Sequence, residues 1–280
     1  MINVCYLLRL RKGKKFAEDI NCIKKFYFSY SSHRAGVAHK LFILIKGPLA
    51  DKSIKIIRKV VPSNVSIIKL KDKGYDLGSF TEFARYRAES HMFILNQHSV
   101  ILIQNWLKIY NNALKKTKSK IVASTSSMSS LANPYNLEIN NLISFVKYFL
   151  IIIFNKIKSK YYYSAFPKYP NPHIRTNAIL IKTTLWLEYF KDLDIKSKSQ
   201  CYEIESGKNS FYNFLKKRKE KIIIVRNDAK YVASHLKWKN FVPFRNSNQK
   251  FKLIISDNQT RFYENANVKK KNQLEKESWR

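Results

Sequence analysis

Short, nearly all-apolar segments alternate with longer amphipathic ones through the first part of the chain. The segments 2–10, 40–46 and 65–70 are apolar runs of strand length. Between them, residues 16–30 and 53–61 carry apolar side chains three or four positions apart, the spacing of a helix with one buried face. Strands without polar alternation are typical of a parallel sheet covered on both faces. The order β-α-β-α-β therefore predicts an α/β fold with a mixed, mostly parallel sheet flanked by helices.

The stretch 71–106 departs from this simple alternation. A turn built on Gly74 and Gly78 leads into a helical segment, and the apolar strand 91–95 then stops at Asn96-Gln97-His98. In open α/β sheets, ligands bind beyond the carboxyl ends of the strands, where helix N-termini and loop amides converge. The pattern predicts that residues 72–78 and 96–99 face one nucleotide-type ligand.

The second half of the chain repeats the alternation less regularly. The pattern predicts helices at 106–114, 184–190 and 211–218, strands at 120–123, 177–182 and 221–225, and a polar loop at 191–201. The Ser/Thr-rich segment 124–130 is interpreted as a solvated loop, or alternatively as a set of hydrogen-bond donors to an acceptor. The highly charged tail, 264–280, is expected to be frayed or a terminal helix.

The most apolar segment is 142–154, LISFVKYFLIIIF, which contains Lys147. It is too short to span a membrane as a helix, which takes about 20 residues. Lysines and three tyrosines follow it, so it could lie in an anionic membrane surface. A helix in the core or in a dimer contact is the alternative, and the sequence leaves both open.

The charge balance narrows the classes of ligand. Lys and Arg number 53 against 19 Asp and Glu, a formal net charge of +34. Such a field attracts nucleic acid, anionic lipid headgroups or phosphorylated small molecules. The cations are spread along the whole chain, however, and form no zinc finger, basic zipper or aromatic-glycine RNA-binding motif. Nucleic-acid binding is therefore kept only as an alternative.

The cysteines indicate the compartment. Cys5, Cys22 and Cys201 are odd in number and widely spaced, which argues against a disulfide scaffold or a zinc site and favours a reducing compartment. At the N-terminus an apolar run precedes the charges, the reverse of a secretory signal. We expect a cytoplasmic protein, with the inner face of the plasma membrane as a possible peripheral location.

Three segments together resemble bacterial glycosyltransferases of the GT-A type, especially family-two-like enzymes that build surface polysaccharides. LKDKGYDLGSF at 70–80 is similar to their nucleotide-holding turn, and MFILNQHSVILIQNWL at 92–107 to their strand that ends in a DxD-type motif. The third segment comprises 171–186 and 202–225 and resembles their later half. The resemblance covers about residues 1–263 in element order and implies one GT-A-like (Rossmann-like) domain. Its nucleotide-binding half would be about 1–130 and its acceptor half about 165–263, with 142–154 as an insertion.

The resemblance implies a hexosyltransferase-type enzyme (EC 2.4) that moves a sugar from a nucleotide-sugar donor to a glycan or lipid-linked acceptor. It places the catalytic base of an inverting transfer at Glu205, with Glu203 as the near alternative. From the residues alone, Glu205 could instead be an acid at a helix N-terminus that complements the helix dipole. Likewise Asp72 could be a turn former and Asp76 a helix N-cap.

The remaining candidate residues follow from the same resemblance. Those expected to hold the nucleotide-sugar are Asp72, Gly74, Asp76, Asn96, Gln97 and His98. Those expected to contact the acceptor or the diphosphate are His173, Arg175 and Arg261, because a guanidinium fork matches phosphate oxygens. A lone histidine such as His173 is more often structural.

One departure from the family pattern concerns metal chemistry. Where DxD-type enzymes place two carboxylates for Mg²⁺ or Mn²⁺, this chain has Asn96-Gln97-His98. A hard cation prefers carboxylate oxygens, whereas an imidazole such as that of His98 tolerates Mn²⁺. Alternatively, nearby Lys and Arg replace the metal as counter-charge for the diphosphate. A catalytically inactive, glycosyltransferase-like scaffold at the membrane is the chief rival to an enzyme.

Overall fold

A computed structural model describes residues 1–88, 90–132 and 160–279. The apolar segment predicted as a helix at 142–154 lies outside these described residues. Within them, no helix combines the length and the apolar character needed to cross a membrane.

Within the described residues, twelve strands and eleven α-helices are numbered here in chain order, and residues 160–165 are helical as well. The strands are β1 (Ile2–Arg9), β2 (His39–Lys46), β3 (Ser66–Lys69), β4 (His91–Leu95), β5 (Val100–Ile101), β6 (Ile121–Ala123), β7 (Ser126–Ser127), β8 (His173–Ile174), β9 (Ile179–Lys182), β10 (Ile222–Val225), β11 (Tyr231–Val232) and β12 (Ile255–Ser256). The helices are α1 (Lys14–Ser32), α2 (Ala50–Arg58), α3 (Tyr75–Arg85), α4 (Trp106–Thr117), α5 (Thr183–Phe190), α6 (Lys198–Ser206), α7 (Phe211–Lys217), α8 (Trp238–Phe241), α9 (Gln249–Lys252), α10 (Asn258–Asn265) and α11 (Val268–Trp279).

Eight of the strands form one central sheet in the order β11-β10-β6-β9-β4-β1-β2-β3. Strands β1 to β4 run parallel to one another, and β6 is parallel to β10. The exceptions are β9, antiparallel between β4 and β6, and the edge strand β11. The α/β fold with a mixed, mostly parallel sheet is thereby confirmed.

Both faces of the sheet are covered, as the unbroken apolar strands predicted. Along β1, Val4, Tyr6 and Leu8 point into a core shared with α1, α2 and α4, while Cys5 and Leu7 point into the opposite core. That second core includes apolar side chains of α3, α5 and α7 and, near its margin, Trp279 of α11. Each face would lose its apolar burial without its helices, so the helical layers and the sheet stabilise one another.

The carboxyl ends of the parallel strands meet at one edge. Arg9 at the end of β1 is in register with Lys46 at the end of β2, and β4 ends alongside β1. Because β9 runs the other way, its N-terminal approach, 176–178, reaches the same edge. This geometry brings distant parts of the sequence to one site.

The structure corrects several predicted boundaries. Helix α6 begins at a capping box in which Ser197 and Gln200 bind each other's backbone, so part of the predicted loop 191–201 is helical. Glu205 therefore lies in the last turn of α6, not at a helix start, and cannot serve as an N-terminal acid. Asp76 is not an N-cap, because α3 starts at Tyr75 after Gly74.

Two polar segments are also more ordered than their composition suggests. Residues 124–127 are buried, and β7 pairs with β8 there, so the prediction of a solvated loop was wrong for this part. In the tail, α11 buries Leu274 and Trp279, and the Trp279 indole donates to the Phe244 carbonyl at 2.7 Å. Of the two alternatives for the tail, the terminal helix is the correct one.

Candidate functional site

A cavity of about 630 Å³ opens at the carboxyl edge of the sheet. The turn 72–76 forms one wall and residues 194–196 form the opposite wall. Arg9 and Lys46, from the ends of β1 and β2, line it as well. Asp72, Gly74 and Asp76, which were predicted to hold the nucleotide-sugar, thus line one concave site, which we call the strand-end cavity. Their role as donor contacts stays a prediction.

The turn that forms the first wall depends on an unusual backbone. Gly74 has φ +67, and a Cβ placed there would lie 2.8 Å from the Gly78 Cα. Tyr75 also has a positive φ, of 52, which is costly for a residue with a side chain. The Lys46 ammonium donates a hydrogen bond to the Tyr75 carbonyl and so supports this strained turn from below.

Charged side chains in the cavity differ in how they are held. Arg9 Nε and Nη2 donate to the two Asp72 carboxylate oxygens at 3.0 and 2.9 Å, and these hydrogen bonds hold the Asp72 pKa below its usual value. Burial, by contrast, lowers the pKa of Lys46. Across the cavity, Lys196 pairs with Asp194 at 2.9 Å, an exposed contact that contributes little.

Asp76 is the acid least engaged by the protein. Its side chain is solvent-exposed, yet desolvation by the surrounding protein raises its pKa, with Lys46 opposing that shift. The two observations agree if solvent reaches the carboxyl only through the mouth of a concave pocket. Among the described residues no hydrogen bond to the Asp76 carboxyl is formed, so it can accept hydrogen bonds from a ligand without first losing a partner.

The strand tip 96–99 lies beside this cavity, but its polar groups are turned inward. Asn96 Oδ1 accepts from the His98 N–H and the Ser99 hydroxyl, at 3.0 and 3.2 Å. Gln97 accepts from the Arg9 N–H at 3.0 Å and donates to the buried carboxylate of Asp19. These bonds make the tip a rigid support.

His98 is held on two sides. Its Nδ1 lies 3.5 Å from the Cys22 sulfur, and its carbonyl accepts from Arg261 at 2.9 Å. Burial lowers the pKa of His98, and the Arg261 charge lowers it further. Neutral imidazole is therefore favoured at neutral pH.

A buried polar network closes the tip from behind. Asn177 accepts from the Asn96 N–H at 2.9 Å and donates to Asp257, which also pairs with Arg175 at 2.7 Å. Asp257 caps α10 through the Thr260 N–H. Although burial alone would raise it, the pKa of Asp257 is lowered by the Arg175 charge and by the hydrogen bonds it accepts.

Arg175 and Arg261, expected at phosphates, thus already contact protein groups. Arg261 donates to the Ser256 hydroxyl at 2.9 Å in addition to the His98 carbonyl. The segment 256–263, which had no assigned role in the sequence, supplies Asp257 and Arg261 and so fastens the C-terminal part to the strand tip. Their phosphate contacts remain predictions.

Glu205 reaches the same edge from α6. Its Oε1 accepts from the Thr176 N–H at 3.0 Å and from the Thr176 hydroxyl at 3.3 Å. For Oε2, no hydrogen bond from the described residues is recorded. The near alternative, Glu203, instead accepts from the Tyr161 hydroxyl.

Cys201 connects the two carboxylates. Lying one turn before Glu205 on α6, it has a thiol pKa raised to about 11 by burial and further by the charges of Asp76 and Glu205. The thiol therefore lies near both acids. His173, on the far side of Glu205, is buried, its Nδ1 contacts the Asn171 carbonyl at 2.8 Å, and burial lowers its pKa.

The side chains described above also show how well this site could bind a divalent metal. Among the described residues, no group of three or more His, Cys, Asp or Glu side chains is placed to hold a metal ion. At the strand tip, the side-chain oxygens of Asn96 and Gln97 already accept hydrogen bonds. This donor set is a poor fit to Mg²⁺ or Mn²⁺, which prefer oxygen ligands that are free to bind. The ligand role of His98 stays a prediction.

Of the predicted site residues, Asp72, Gly74 and Asp76 line the strand-end cavity, whereas Asn96, Gln97, His98, His173, Arg175, Glu205 and Arg261 do not. The structure also adds several residues that the pattern did not single out. The additions are Arg9, Lys46, Lys73, Asp194, Lys196 and Cys201. Lys46 had a visible signal, since a cation closes the otherwise apolar run 41–46 at its carboxyl end. The wall 194–196 had none, because only the fold brings it opposite the turn 72–76.

Comparisons with family models, curated proteins and solved structures gave matches only among the solved structures. No family model matches it, and no curated protein matches it in sequence. Solved structures that match include S. aureus TarS, at 10% identity and TM-score 0.33, where the match covers 49% of this chain and only 23% of TarS. CMP:2-keto-3-deoxy-manno-octonic acid synthetase complexed with CTP matches at 9% identity and TM-score 0.45, over 79% of this chain and 87% of that one. Mouse xyloside xylosyltransferase 1 matches at 9% identity and TM-score 0.39, over 80% and 85%. Likeness at this level carries no argument about activity.

Proposed function

We propose that the protein is a GT-A-type glycosyltransferase of the hexosyltransferase class, which moves a sugar from a nucleotide-sugar to a glycan or lipid-linked acceptor. This transfer would be a step of cell-surface polysaccharide synthesis. It would take place in the cytoplasm or at the inner face of the plasma membrane. Support comes from a polar cavity at the strand ends and a half-buried carboxylate beside it. The resemblance of three sequence segments to GT-A-type enzymes supports a nucleotide-sugar as the donor.

The observation that carries the proposal is the hydrogen bonding of the Glu205 carboxylate. Thr176 holds Oε1 with two donors, which orients the carboxylate, and Oε2 accepts no hydrogen bond from the described residues. A general base needs such a fixed group with an available oxygen within reach of the acceptor hydroxyl. Cys201, one turn before Glu205 on α6, has a thiol pKa that the charges of both Asp76 and Glu205 raise, which supports a position of Glu205 near the cavity that Asp76 lines.

The proposed step is an inverting displacement. Glu205 takes the proton of the acceptor hydroxyl while that oxygen forms a bond to the anomeric carbon. The bond from the anomeric carbon to the diphosphate oxygen breaks, and the nucleoside diphosphate leaves with the electron pair. Asp76 and the turn at Gly74 hold the nucleoside part of the donor.

Cations of the cavity stabilise the leaving diphosphate in this proposal. Arg9, Lys46, Lys73 and Lys196 line it, against Asp72, Asp76 and Asp194. The lining thus has one excess positive charge within a chain of net charge +34. Fixed cations in a partly desolvated cavity favour a departing anion, so the chemistry is derived without a metal.

Donor binding is the first test. Nucleotide-sugars and free nucleoside diphosphates should raise the melting temperature, because a ligand that binds the native state stabilises it by RT ln(1 + [L]/Kd). Each ligand is measured with and without Mn²⁺. A chain that responds to none of them would end the proposal, and a response that requires Mn²⁺ would refute the metal-free step.

The base is tested by Glu205→Gln, with Glu203→Gln as the matched control. We expect Glu205→Gln to lower the transfer rate by about 10²–10⁴-fold, the usual contribution of a general base, and to leave donor binding unchanged. Glu203 already binds Tyr161, so its variant should retain activity. The reverse pattern would move the base to Glu203.

A non-catalytic scaffold with this fold is the second candidate. It is favoured by the amide side chains of Asn96 and Gln97 at the position where the resembling enzymes carry carboxylates. A scaffold would bind nucleotide-sugar without turning it over with any acceptor. Measured transfer to any glycan or lipid-linked acceptor excludes it.

A further inference from the structure

A second cavity, of about 480 Å³, lies between residues 239–248 and the C-terminal helix α11. We call it the basic cavity. Its lining comprises Lys239, Asn240, Arg245, Asn246, Ser247, Asn248, Glu275, Lys276 and Trp279. Three cations, three asparagines and an indole ring thus share one concave surface, and none of these residues belongs to the strand-end cavity.

The charge of this cavity is only partly compensated. Glu275, its single acid, accepts a hydrogen bond from the Tyr263 hydroxyl. Arg245 is held by Glu277 at 3.7 Å and by the Gln259 side chain at 2.9 Å. Lys239 and Lys276 are exposed, and within the described chain neither forms an ion pair with a carboxylate. They remain available to an anion.

The asparagines point to hydroxyl-rich ligands. An amide side chain both donates and accepts, as a sugar hydroxyl does, whereas phosphate or carboxylate alone requires only donors. Asn246 supports the turn itself, because its Nδ2 donates to the Lys239 carbonyl at 3.1 Å and its Oδ1 accepts from the Asn248 N–H at 3.2 Å. The amides offered to a ligand are therefore those of Asn240 and Asn248, which also line the cavity. Amides beside ammonium groups fit a saccharide that carries negative charge.

The position of the basic cavity relates it to Glu205. Trp279 donates to the Phe244 carbonyl, and the guanidiniums of Arg175 and Arg245 lie 4.1 and 5.1 Å from the Phe244 ring centroid. Arg175 directly precedes Thr176, whose N–H holds Glu205. A chain of contacts through Thr176, Arg175 and Phe244 therefore connects Glu205 to Arg245 and Trp279 of the basic cavity.

We propose that the basic cavity binds an anionic saccharide, the part of the acceptor that lies beyond the hydroxyl to be glycosylated. The assignment to an acceptor rests on the proposed function, whereas the binding itself does not. Ammonium groups contact the carboxylate or phosphate of the saccharide, and Asn240 and Asn248 contact its hydroxyls. A uronate and a sugar phosphate both supply this charge, because both carry anionic oxygens.

Direct binding to the full chain tests the proposal. Calorimetry is run with tetragalacturonate, with its methyl ester as the uncharged counterpart, and with glucose 6-phosphate as the phosphate source. We expect the charged probes to bind and the methyl ester to bind at least about tenfold more weakly, since two exposed cations lose their partner. Binding should weaken as salt rises. Failure of both charged probes, or equal binding of the methyl ester, overturns the proposal.

Matched variants assign the binding to this cavity. Lys239→Ala/Lys276→Ala should weaken tetragalacturonate or glucose 6-phosphate binding about tenfold, whereas Lys24→Ala/Lys25→Ala removes the same charge from exposed positions on α1 and should leave it unchanged. Equal losses in both variants would mean that only net charge matters. Tighter binding of a single-stranded octathymidylate through the same two lysines would assign the cavity to nucleic acid instead.

The same samples separate this proposal from the proposed function. Nucleotide-sugar stabilisation should be unchanged in Lys239→Ala/Lys276→Ala. Saccharide binding without any response to nucleotides would support the proposal for the basic cavity and refute the proposed transferase function. A response to nucleotides without saccharide binding would refute only the proposal for the basic cavity.

Discussion

The strand tip 96–99 and the strand-end cavity lie side by side and differ in what their polar groups do. At the tip, the side chains of Asn96 and Gln97 form hydrogen bonds with neighbouring protein groups. In the cavity, Asp76 keeps a carboxyl that solvent reaches. Polar residues at a strand end can thus serve as support or as contact surface, and the hydrogen-bond partners distinguish the two.

The comparison changes the role expected of Asn96-Gln97-His98. A ligand that contacted these side chains would first have to break bonds worth about 1 kcal/mol each. Asp76 requires no such exchange. Variants at the tip should therefore act mainly on stability, and variants in the cavity mainly on ligand binding.

The largest expected effect concerns the network behind the tip. Asp257→Ala removes the partner of the nearly buried Arg175 and the cap of α10, so we expect a loss of about 3–5 kcal/mol in the free energy of unfolding. Urea denaturation followed by circular dichroism measures it. The double variant Arg175→Met/Asp257→Leu should recover part of the loss, because no charge is left unpaired. A loss below about 1 kcal/mol in Asp257→Ala would show that the network is not supporting the tip.

Gln97→Ala should have the next largest effect on stability. The substitution leaves the Arg9 N–H without its acceptor and removes one donor to the buried Asp19 carboxylate, which keeps its bonds from Arg11, and we expect a cost of about 1–2 kcal/mol. The same denaturation experiment applies. If Gln97→Ala kept full stability but abolished the nucleotide response, the tip would be a contact surface after all.

Asp76→Asn tests the cavity side. We expect nucleotide-sugar affinity to fall about tenfold, equivalent to about 1.4 kcal/mol, while the free energy of unfolding stays within about 0.5 kcal/mol of the parent. Calorimetry and denaturation on the same preparation measure both. Glu188→Gln, which removes an exposed acid on α5, is the control and should change neither. Unfolding of the Asp76 variant at neutral pH would make Asp76 a structural residue.

The smallest expected effect is a pH dependence that comes from the tip network. The pKa of Asp257 is lower in the folded chain than its ordinary value of 3.8, so its ionised form stabilises the fold. That contribution is complete above the ordinary pKa and is lost as the pH falls through the folded pKa. The difference in unfolding free energy between the parent and Asp257→Asn should therefore be constant from pH 7 to 5 and shrink below pH 4. A difference that grows on acidification would contradict the assigned sign.

Several parts of the fold were predictable because they depend on local pattern. The strand at 91–95 has the predicted bounds, and the run at 40–46 is a strand buried on both faces. The start of α6 was missed because Ser197 and Gln200 form a capping box within a polar segment that has no apolar periodicity. Glu205 was consequently assigned to the wrong end of a helix, and its role as the base stays a prediction.

The sequence by itself determined the layered α/β fold, since apolar periodicity dictates which faces must be buried. It also predicted a turn at Gly74 and Gly78, and the structure adds the reason for a glycine there, since a Cβ on Gly74 would lie 2.8 Å from the Gly78 Cα. Only the tertiary structure decided which polar groups are used. Pairing of β9 against β4 brings Thr176 to Glu205 and Asn177 to Asn96, and these contacts between residues far apart in sequence leave Asp76 and one oxygen of Glu205 to a ligand. These hydrogen bonds join residues that are far apart in sequence. A local sequence pattern therefore could not distinguish polar residues that support the fold from polar residues that are open to a ligand.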